Sequence, residues 1–258
     1  MLLQCFKGAS VLALGTEGMV LRPAGSNDQR ILCTGNFSPE NLLDELEGQA
    51  QSLALKRVRF VLSNQLVRYI VQPWQPGVYA KEDWHALATH QFRIKFGPMV
   101  ENWDVQVTLQ GYGKPLVACA IDKSFRSRLL TISANANWLV QGICPALMAV
   151  FNHYRKHLGS EHWLLLVEQQ RLLLGQISQG MWRQFYVEIP LKGDEAIACQ
   201  QMVERVLRFQ GGGHPTAISC FGHASLLPST FKENLQIIRL PLPSMVASNG
   251  LDLLAGVA

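Results

Sequence analysis

Charge is scarce in this chain of 258 residues: Asp, Glu, Lys and Arg make up 16% of it, against 48% hydrophobic residues. The net charge of +4 is spread without a Lys/Arg block, so the electrostatic footprint of a nucleic-acid binder is missing, and no acidic tail replaces it. So little charge on a soluble protein suggests a surface partly covered by a partner. No apolar run approaches the roughly 18 residues that a membrane helix needs. The first residues, MLLQCFKGASVLALG, contain Lys7 and no small-residue cleavage site, so they read as neither anchor nor secretion signal. Cysteines in pairing patterns are absent too. The six (Cys5, Cys33, Cys119, Cys144, Cys199, Cys220) are widely spaced, and five lie in apolar runs or helical patterns, the habit of reduced, buried small hydrophobes. A reducing compartment follows, and a cytosolic chain unless a partner tethers it. Familiar chemical signatures are missing as well. There is no P-loop, since Gly111-Tyr112-Gly113-Lys114 lacks the third glycine and the strand-to-helix context, and there is no Gly-x-Ser-x-Gly elbow.

What the chain does contain is a repeated pattern. Glu161 to Ile189 reads as three strands: HWLLLVE, RLLLGQIS after the turn Gln169-Gln170, and MWRQFYVEI after Gln179-Gly180. Gly193-Asp194 then opens an amphipathic helix, EAIACQQMVERVLRFQ, with Ile197, Met202, Val206 and Leu207 expected on one face. Gly211-Gly212-Gly213 closes it, and the strand PTAISCFG follows. The first half repeats that order. SVLALG, MVLRP and RILCTG are three short strands, Ser38 and Pro39 offer a cap and first position for a helix through Leu42, Leu43, Leu46 and Ala50, and RVRFVLS is the next strand.

Between the copies lies an insertion. Pro73, Pro76 and Gly77 interrupt the chain, AKEDWHALATHQFRIKFG reads as a helix ended by Gly97, and WDVQVTLQ and PLVACAID form a hairpin around Gly111-Tyr112-Gly113. The expected organisation is a first lobe over 1–145 carrying a small subdomain at about 73–122, a second lobe over 146–240, and a tail over 241–258 that is either packed on the body or poorly ordered.

Two copies of strand, strand, strand, helix, strand are the core order of the ribonuclease H and actin class, an α/β duplicated two-lobe fold with here a small inserted α+β subdomain. Within that class the chain resembles the cytoplasmic assembly-platform proteins of type IV pili and type II secretion, the PilM-like and GspL-like families. The resemblance spans roughly residues 8 to 240 and rests on LSNQLVRYIVQPW leading into a Trp-containing helix that ends at Phe96-Gly97, on the hairpin strand LVACAID, and on ISCFGHASLLPSTFKENL. That last stretch is similar to the class's adenosine-side loop: Gly222, Ala224, Ser225, Leu227 and Pro228 match, while Phe221 stands where the first glycine belongs.

The departures bear on function. Active members of the class open with a strand ending Asp-x-Gly, whose carboxylate positions metal or water and whose turn cradles phosphate. Here the turn reads Ala13-Leu14-Gly15-Thr16, so Gly15 and Thr16 are the remnant of a phosphate loop without its acid. The corresponding turn of the second copy, Val167-Glu168-Gln169-Gln170-Arg171, has no glycine, and Glu168 reads as an ordinary turn residue rather than a displaced acid. The resemblance therefore implies a non-catalytic scaffold without a cofactor, any remaining ATP affinity being weak and on the adenosine side. Its implied partner is an inner-membrane protein with one transmembrane helix, with a secretion-type ATPase as a second, and its place is at the cytoplasmic side of that membrane. The other reading is a degenerate but active ATPase or kinase; a nuclease is disfavoured by Ala13, where a metal-binding carboxylate would begin.

The family resemblance puts the partner in a groove beside the insert, for which Trp74, Trp84, Phe92 and Phe96 are candidate anchors and Arg93 and Lys95 candidate rim cations. Taken one at a time, these aromatics also fit a subdomain core. Other polar residues have plainer readings. His153 and His157 share a helix face but lack a zincin carboxylate, and His214 and His223 flank a strand without a nucleophile nearby. Cys220 on that strand reads as core, and Asp122 as a helix cap.

Overall fold

The computed structural model describes residues 8–191, 193–209, 217–228, 230–231, 235–241 and 250–257. Its first half runs β1 (Ser10–Gly15), β2 (Gly18–Arg22), β3 (Arg30–Thr34), α1 (Pro39–Ala50), β4 (Arg57–Leu62), β5 (Arg68–Gln72), α2 (Lys81–Phe96), β6 (Trp103–Leu109), β7 (Leu116–Asp122), α3 (Lys123–Asn135) and β8 (Leu139–Pro145). The second half runs α4 (Ala146–Tyr154), β9 (His162–Glu168), β10 (Arg171–Ser178), β11 (Met181–Glu188), α5 (Glu195–Phe209), β12 (Ala217–Gly222), β13 (Gln236–Arg239) and α6 (Gly250–Val257).

The repeat seen in the sequence is a repeat in space. One five-stranded sheet has the order β3-β2-β1-β4-β8 and the other β11-β10-β9-β12-β13. In both, three antiparallel strands are extended by two parallel ones reached through crossovers. The central strands β1 and β9 are apolar along their length because both their faces are covered. Along β9, side chains alternate: Trp163, Leu165 and Val167 join a core under α5, while Leu164 and Leu166 join the core of the first lobe. Leu173, Ile177, Trp182, Phe185 and Phe221 also face that way, so the lobes share one apolar core.

Local signals behave as their chemistry dictates. The Ser38 hydroxyl accepts from Asn41 N–H at 3.2 Å at the start of α1, Pro39 takes the first position, and Leu42, Leu43, Leu46 and Ala50 are buried. Asp122 caps α3, accepting from Phe125 N–H at 2.9 Å. In α5 the buried stripe is Ala198, Cys199, Met202, Val203, Val206 and Leu207. Ile197 lies off that stripe, 57% exposed, and so corrects the face read from the sequence. Cys33, Cys119, Cys144, Cys199 and Cys220 are free; burial pushes the thiols of Cys119, Cys199 and Cys220 up to about 12 and that of Cys144 to about 11.

Two boundaries differ from the sequence reading, and the described end of the tail takes the packed form of the two it allowed. The third sheet, β5-β7-β6, takes β5 as an edge strand, so the insert begins at Arg68 rather than Pro73. Helix α4 buries Ala146, Leu147, Ala149 and Val150 in the first-lobe core, and the second sheet starts only at His162. The tail contains α6, which packs on β1, β2 and α4 and buries Leu251, Leu253, Leu254, Ala255 and Val257. Residues 242–249 of the tail, Gly211-Gly212-Gly213 and His214 lie outside the described residues.

Because α6 completes the cover of β1, the last turn of the chain belongs to the first-lobe core. Leu254→Ala is expected to lower the unfolding free energy by about 2–5 kcal/mol, the usual range for emptying a buried leucine site, as read from the midpoint of a urea titration.

Candidate functional site

The carboxyl ends of β1 and β9 point their hairpin turns, Thr16-Glu17 and Gln169-Gln170, toward the junction of the lobes. Protein groups fill the space between them. Gln65 sits in the middle: its Oε1 accepts from Thr16 N–H at 3.3 Å and from the Thr16 hydroxyl, while its Nε2 donates to Gln169 O and, at 3.4 Å, to Glu17 Oε1. One residue deeper, the carboxylate of Glu168 crosses from the second lobe to the first. It accepts from Ser63 Oγ at 2.5 Å, from Asn64 N–H at 3.0 Å and from Asn64 Nδ2 at 2.8 Å. Asn64 is held in turn, its Oδ1 accepting from Tyr69 OH at 2.6 Å and from Leu147 N–H at 3.3 Å. Glu168, Ser63, Asn64, Tyr69 and Leu147 are all buried.

The electrostatics follow from burial. Desolvation raises the Glu168 carboxyl above its ordinary value, and the donors from Ser63 and Asn64 and the charge of Arg171 across the hairpin oppose that rise. Glu17 is pushed up to about 7, first by burial and then by the charges of Glu168 and Glu195, and its Oε2 has no hydrogen-bond partner. Glu195 accepts from Gly193 N–H at 2.8 Å and from Gln170 N–H at 3.4 Å, and so fixes the start of α5 beside the second turn. Tyr69 is raised well above its usual value by burial.

The glycines that the sequence reading took for remnants of nucleotide loops are walled in. A Cβ placed on Gly15 would meet Leu251 at 2.8 Å and Ser63 at 3.0 Å, so α6 and the turn after β4 occupy the space beside that glycine. Ala13 is fully buried. Gly222 pairs with Val167, and a Cβ there would meet Val167 O at 2.6 Å: this glycine is required for β12 to lie close on β9. Ala224 and Ser225 sit in a short 3-10 turn, the Ser225 hydroxyl is 2.7 Å from His223 Nδ1, and Pro228 is buried. Phe221 turns its ring into the shared core against Tyr154.

Two sequence expectations are corrected here. Glu168 is no ordinary turn residue: it is the acceptor that joins the lobes, and the signal for it was an acid at the end of an otherwise apolar strand. Trp84 and Phe92, 1% and 0% exposed, are core of the subdomain with Ile70, Val105 and Leu116 rather than anchors for a partner. Trp74 and Phe96 are half-buried, Trp74 lying 4.8 Å from Trp84 and 5.0 Å from the exposed Tyr112, and Phe96 lying 5.3 Å from Trp103. Arg93 forms an exposed ion pair with Glu101 at 2.9 Å, and the Lys95 ammonium lies 5.5 Å from the Phe96 ring centre. Neither the pair of histidines at 153 and 157 nor any other group of His, Cys, Asp and Glu among the described residues forms a metal-binding cluster.

Two sheets of like order, a shared core and facing turns at the lobe junction define the actin-like α/β fold, and solved structures bear this out. The PilM-PilN type IV pilus biogenesis complex is similar with a TM-score of 0.64 and 15% identity over 92% of this chain and 88% of that one. The cytoplasmic domain of EpsL, an inner-membrane component of the type II secretion system of Vibrio cholerae, gives 0.58 and 13% over 95% and 92%. A Bacteroides thetaiotaomicron protein with an actin-like ATPase fold and unknown function gives 0.56 and 12% over 96% and 95%. No protein-family model matches the sequence, and no curated protein matches it. Among the described residues no helix is long and apolar enough to cross a membrane.

Glu17 sets a pH dependence whose sign is fixed by its raised value. The folded state binds this proton more tightly than an unfolded chain titrating near 4.5, so the stability it supports is present below that value and is lost as pH rises through about 7. The loss is on the order of 3 kcal/mol. Urea titrations of Glu17→Gln are expected to show a flatter profile than wild type between these pH values, with the variant more stable at pH 8. Asn64→Ala should cost about 3 kcal/mol, because Glu168, Tyr69 and Leu147 N–H lose a partner together. A double-mutant cycle with Tyr69→Phe should be non-additive.

Proposed function

We propose that this chain is a non-catalytic scaffold in an assembly platform of the type IV pilus or type II secretion kind. It holds the cytoplasmic segment of an inner-membrane partner with one transmembrane helix and thereby sits at the cytoplasmic face of that membrane. The observation that carries this reading is the Glu168 carboxylate, which binds Ser63 and Asn64 across the lobe junction. Phosphoryl transfer is almost wholly positioning and charge stabilisation, and it needs room for phosphates and metal between those turns. Here Gln65, Glu168 and Leu251 take up that room, and Ala13 stands where the positioning acid would be. Support from relatives is of the same kind: a resembling structure is a complex of PilM with PilN, and another is an inner-membrane component of a secretion system.

In this reading the partner lies beside the insert, at half-buried Trp74 and Phe96 and the exposed cations Lys95 and Arg93, the latter in a surface ion pair with Glu101, Trp84 and Phe92 being assigned to the core. A secretion-type ATPase is a second partner of the same scaffold. No cofactor is needed, and residual ATP binding, if present, is weak and adenosine-sided near Gly222, Ser225 and Pro228. An active ATPase or kinase would instead have to break the hydrogen bonds of Glu168 to admit its substrate.

Purified protein with ATP and magnesium is expected to give turnover no higher than a buffer blank, and calorimetry to give no magnesium-dependent binding tighter than about 1 mM, the regime left when phosphate contacts are lost. Turnover above the blank that vanishes in Glu168→Ala would establish the enzyme instead. Co-purification with the cytoplasmic segment of the membrane partner, lost in a folded Arg93→Glu variant, is the positive arm.

A further inference from the structure

A cavity of about 440 Å³ opens at the edge of the first-lobe sheet farthest from the lobe junction, where β1 and β4 begin and β2 ends. That volume falls within the roughly 300–1,000 Å³ of small-molecule sites. Its apolar wall comes from Leu21, which is buried, and from Leu53 and Leu55, which are half-buried against the first-lobe core. Three cationic residues line it as well: Arg30 at the start of β3, and Lys56 and Arg57 where the chain enters β4. All three are exposed.

No acid balances these cations. None of the described residues lining the cavity is Asp or Glu, and no ion pair or side-chain hydrogen bond reaches Arg30, Lys56 or Arg57 among the described residues. The acids of the neighbouring helix α1 are engaged elsewhere, Asp44 and Glu47 with Arg128 and Glu45 with Gln49. Asp28, in the turn between β2 and β3, does not line the cavity and forms no ion pair among the described residues. A second polar group in the wall is also incompletely used. Ser10 is 6% exposed; its hydroxyl oxygen accepts from Ala24 N–H at 3.1 Å, while its own proton goes to no acceptor among the described residues. Buried hydroxyls normally donate to something, so this one is a donor left for a ligand.

We infer that this cavity is a binding site for a small amphipathic anion, an apolar chain ending in a carboxylate. The leucines remove the chain from water, and Arg30, Lys56, Arg57 and the Ser10 hydroxyl supply charge-assisted hydrogen bonds to the head group. Exposed cations by themselves attract any anion weakly, and the apolar wall beside them is what selects a chain. A helix, about 10 Å across with its side chains, is too wide for a cavity of this volume, which favours a ligand of small-molecule size. The site lies at the opposite end of β1 from the Thr16-Glu17 turn, so the inference is independent of the scaffold reading.

The test is calorimetry on the whole chain with hexanoate, octanoate, neutral octanamide and inorganic phosphate, each kept below the concentration at which it self-associates. Affinity is expected to rise about fourfold for each methylene added between hexanoate and octanoate, as for a chain leaving water. Octanamide is expected to bind about tenfold more weakly than octanoate, a margin that narrows as salt is added. A variant carrying both Lys56→Gln and Arg57→Gln changes only exposed side chains. It is expected to keep the wild-type midpoint in urea and to bind octanoate no better than octanamide. Equal affinity of wild type for octanoate and octanamide overturns the inference, and so does phosphate binding as tightly as octanoate, since the apolar wall would then contribute nothing. Full octanoate affinity in the folded double variant overturns it too, by placing the site elsewhere. If vesicles of anionic phospholipid capture the protein while octanoate does not bind, the cations serve a membrane surface and the inference fails.

Discussion

A single carboxylate, that of Glu168, holds the two lobes of this protein in register. It is buried at the end of an apolar strand, and the cost of burying it is offset by Ser63 Oγ, Asn64 N–H and Asn64 Nδ2, which all donate to it, and by the Arg171 cation across the hairpin. Those donors belong to the other lobe, so the acid's solvation is also the contact between lobes. Removing any one of them leaves a buried charge short of partners, which makes the junction specific as well as firm.

The rest of the junction is arranged around that contact. Asn64 is oriented by Tyr69 and by Leu147 N–H, which ties β5 and α4 to the same point. Gln65, next in the chain, joins both hairpin turns. α6 returns to the first lobe and places Leu251 beside Gly15, closing the core over that turn. The space between the facing turns is spanned by the protein's own hydrogen bonds, which tie the two lobes together.

Much of the architecture was legible along the chain. The continuous apolar runs of β1 and β9, the cap at Ser38 and Pro39, and the Gln169-Gln170 and Gln179-Gly180 turns are local signals, set by burial on two faces and by backbone geometry. The candidate site was less legible. Ala13 and the missing glycine between Val167 and Arg171 showed only which acid-glycine turns the sequence does not contain. What fills the lobe junction could not be read, because Glu168 lies 105 and 104 residues from Ser63 and Asn64 and each is ordinary in its own neighbourhood. Trp84 and Phe92 illustrate the converse: an aromatic residue on an amphipathic helix has the same sequence signature whether its face meets a sheet of the same protein or a partner, and here the sheet β5-β7-β6 covers both.

The sequence by itself determined the duplicated order of elements, the class of fold and the loss of the acid-glycine turns, since each of these depends on residue type and spacing within about ten positions. Only the tertiary structure decided that Glu168 binds the opposite lobe, that the apolar tail closes over Gly15, and that Gln65 joins both hairpin turns. The physical reason is common to all three. The cost and the sign of a buried polar group are set by which atoms stand within hydrogen-bond distance of it, and those atoms come from segments that nothing in the local sequence connects.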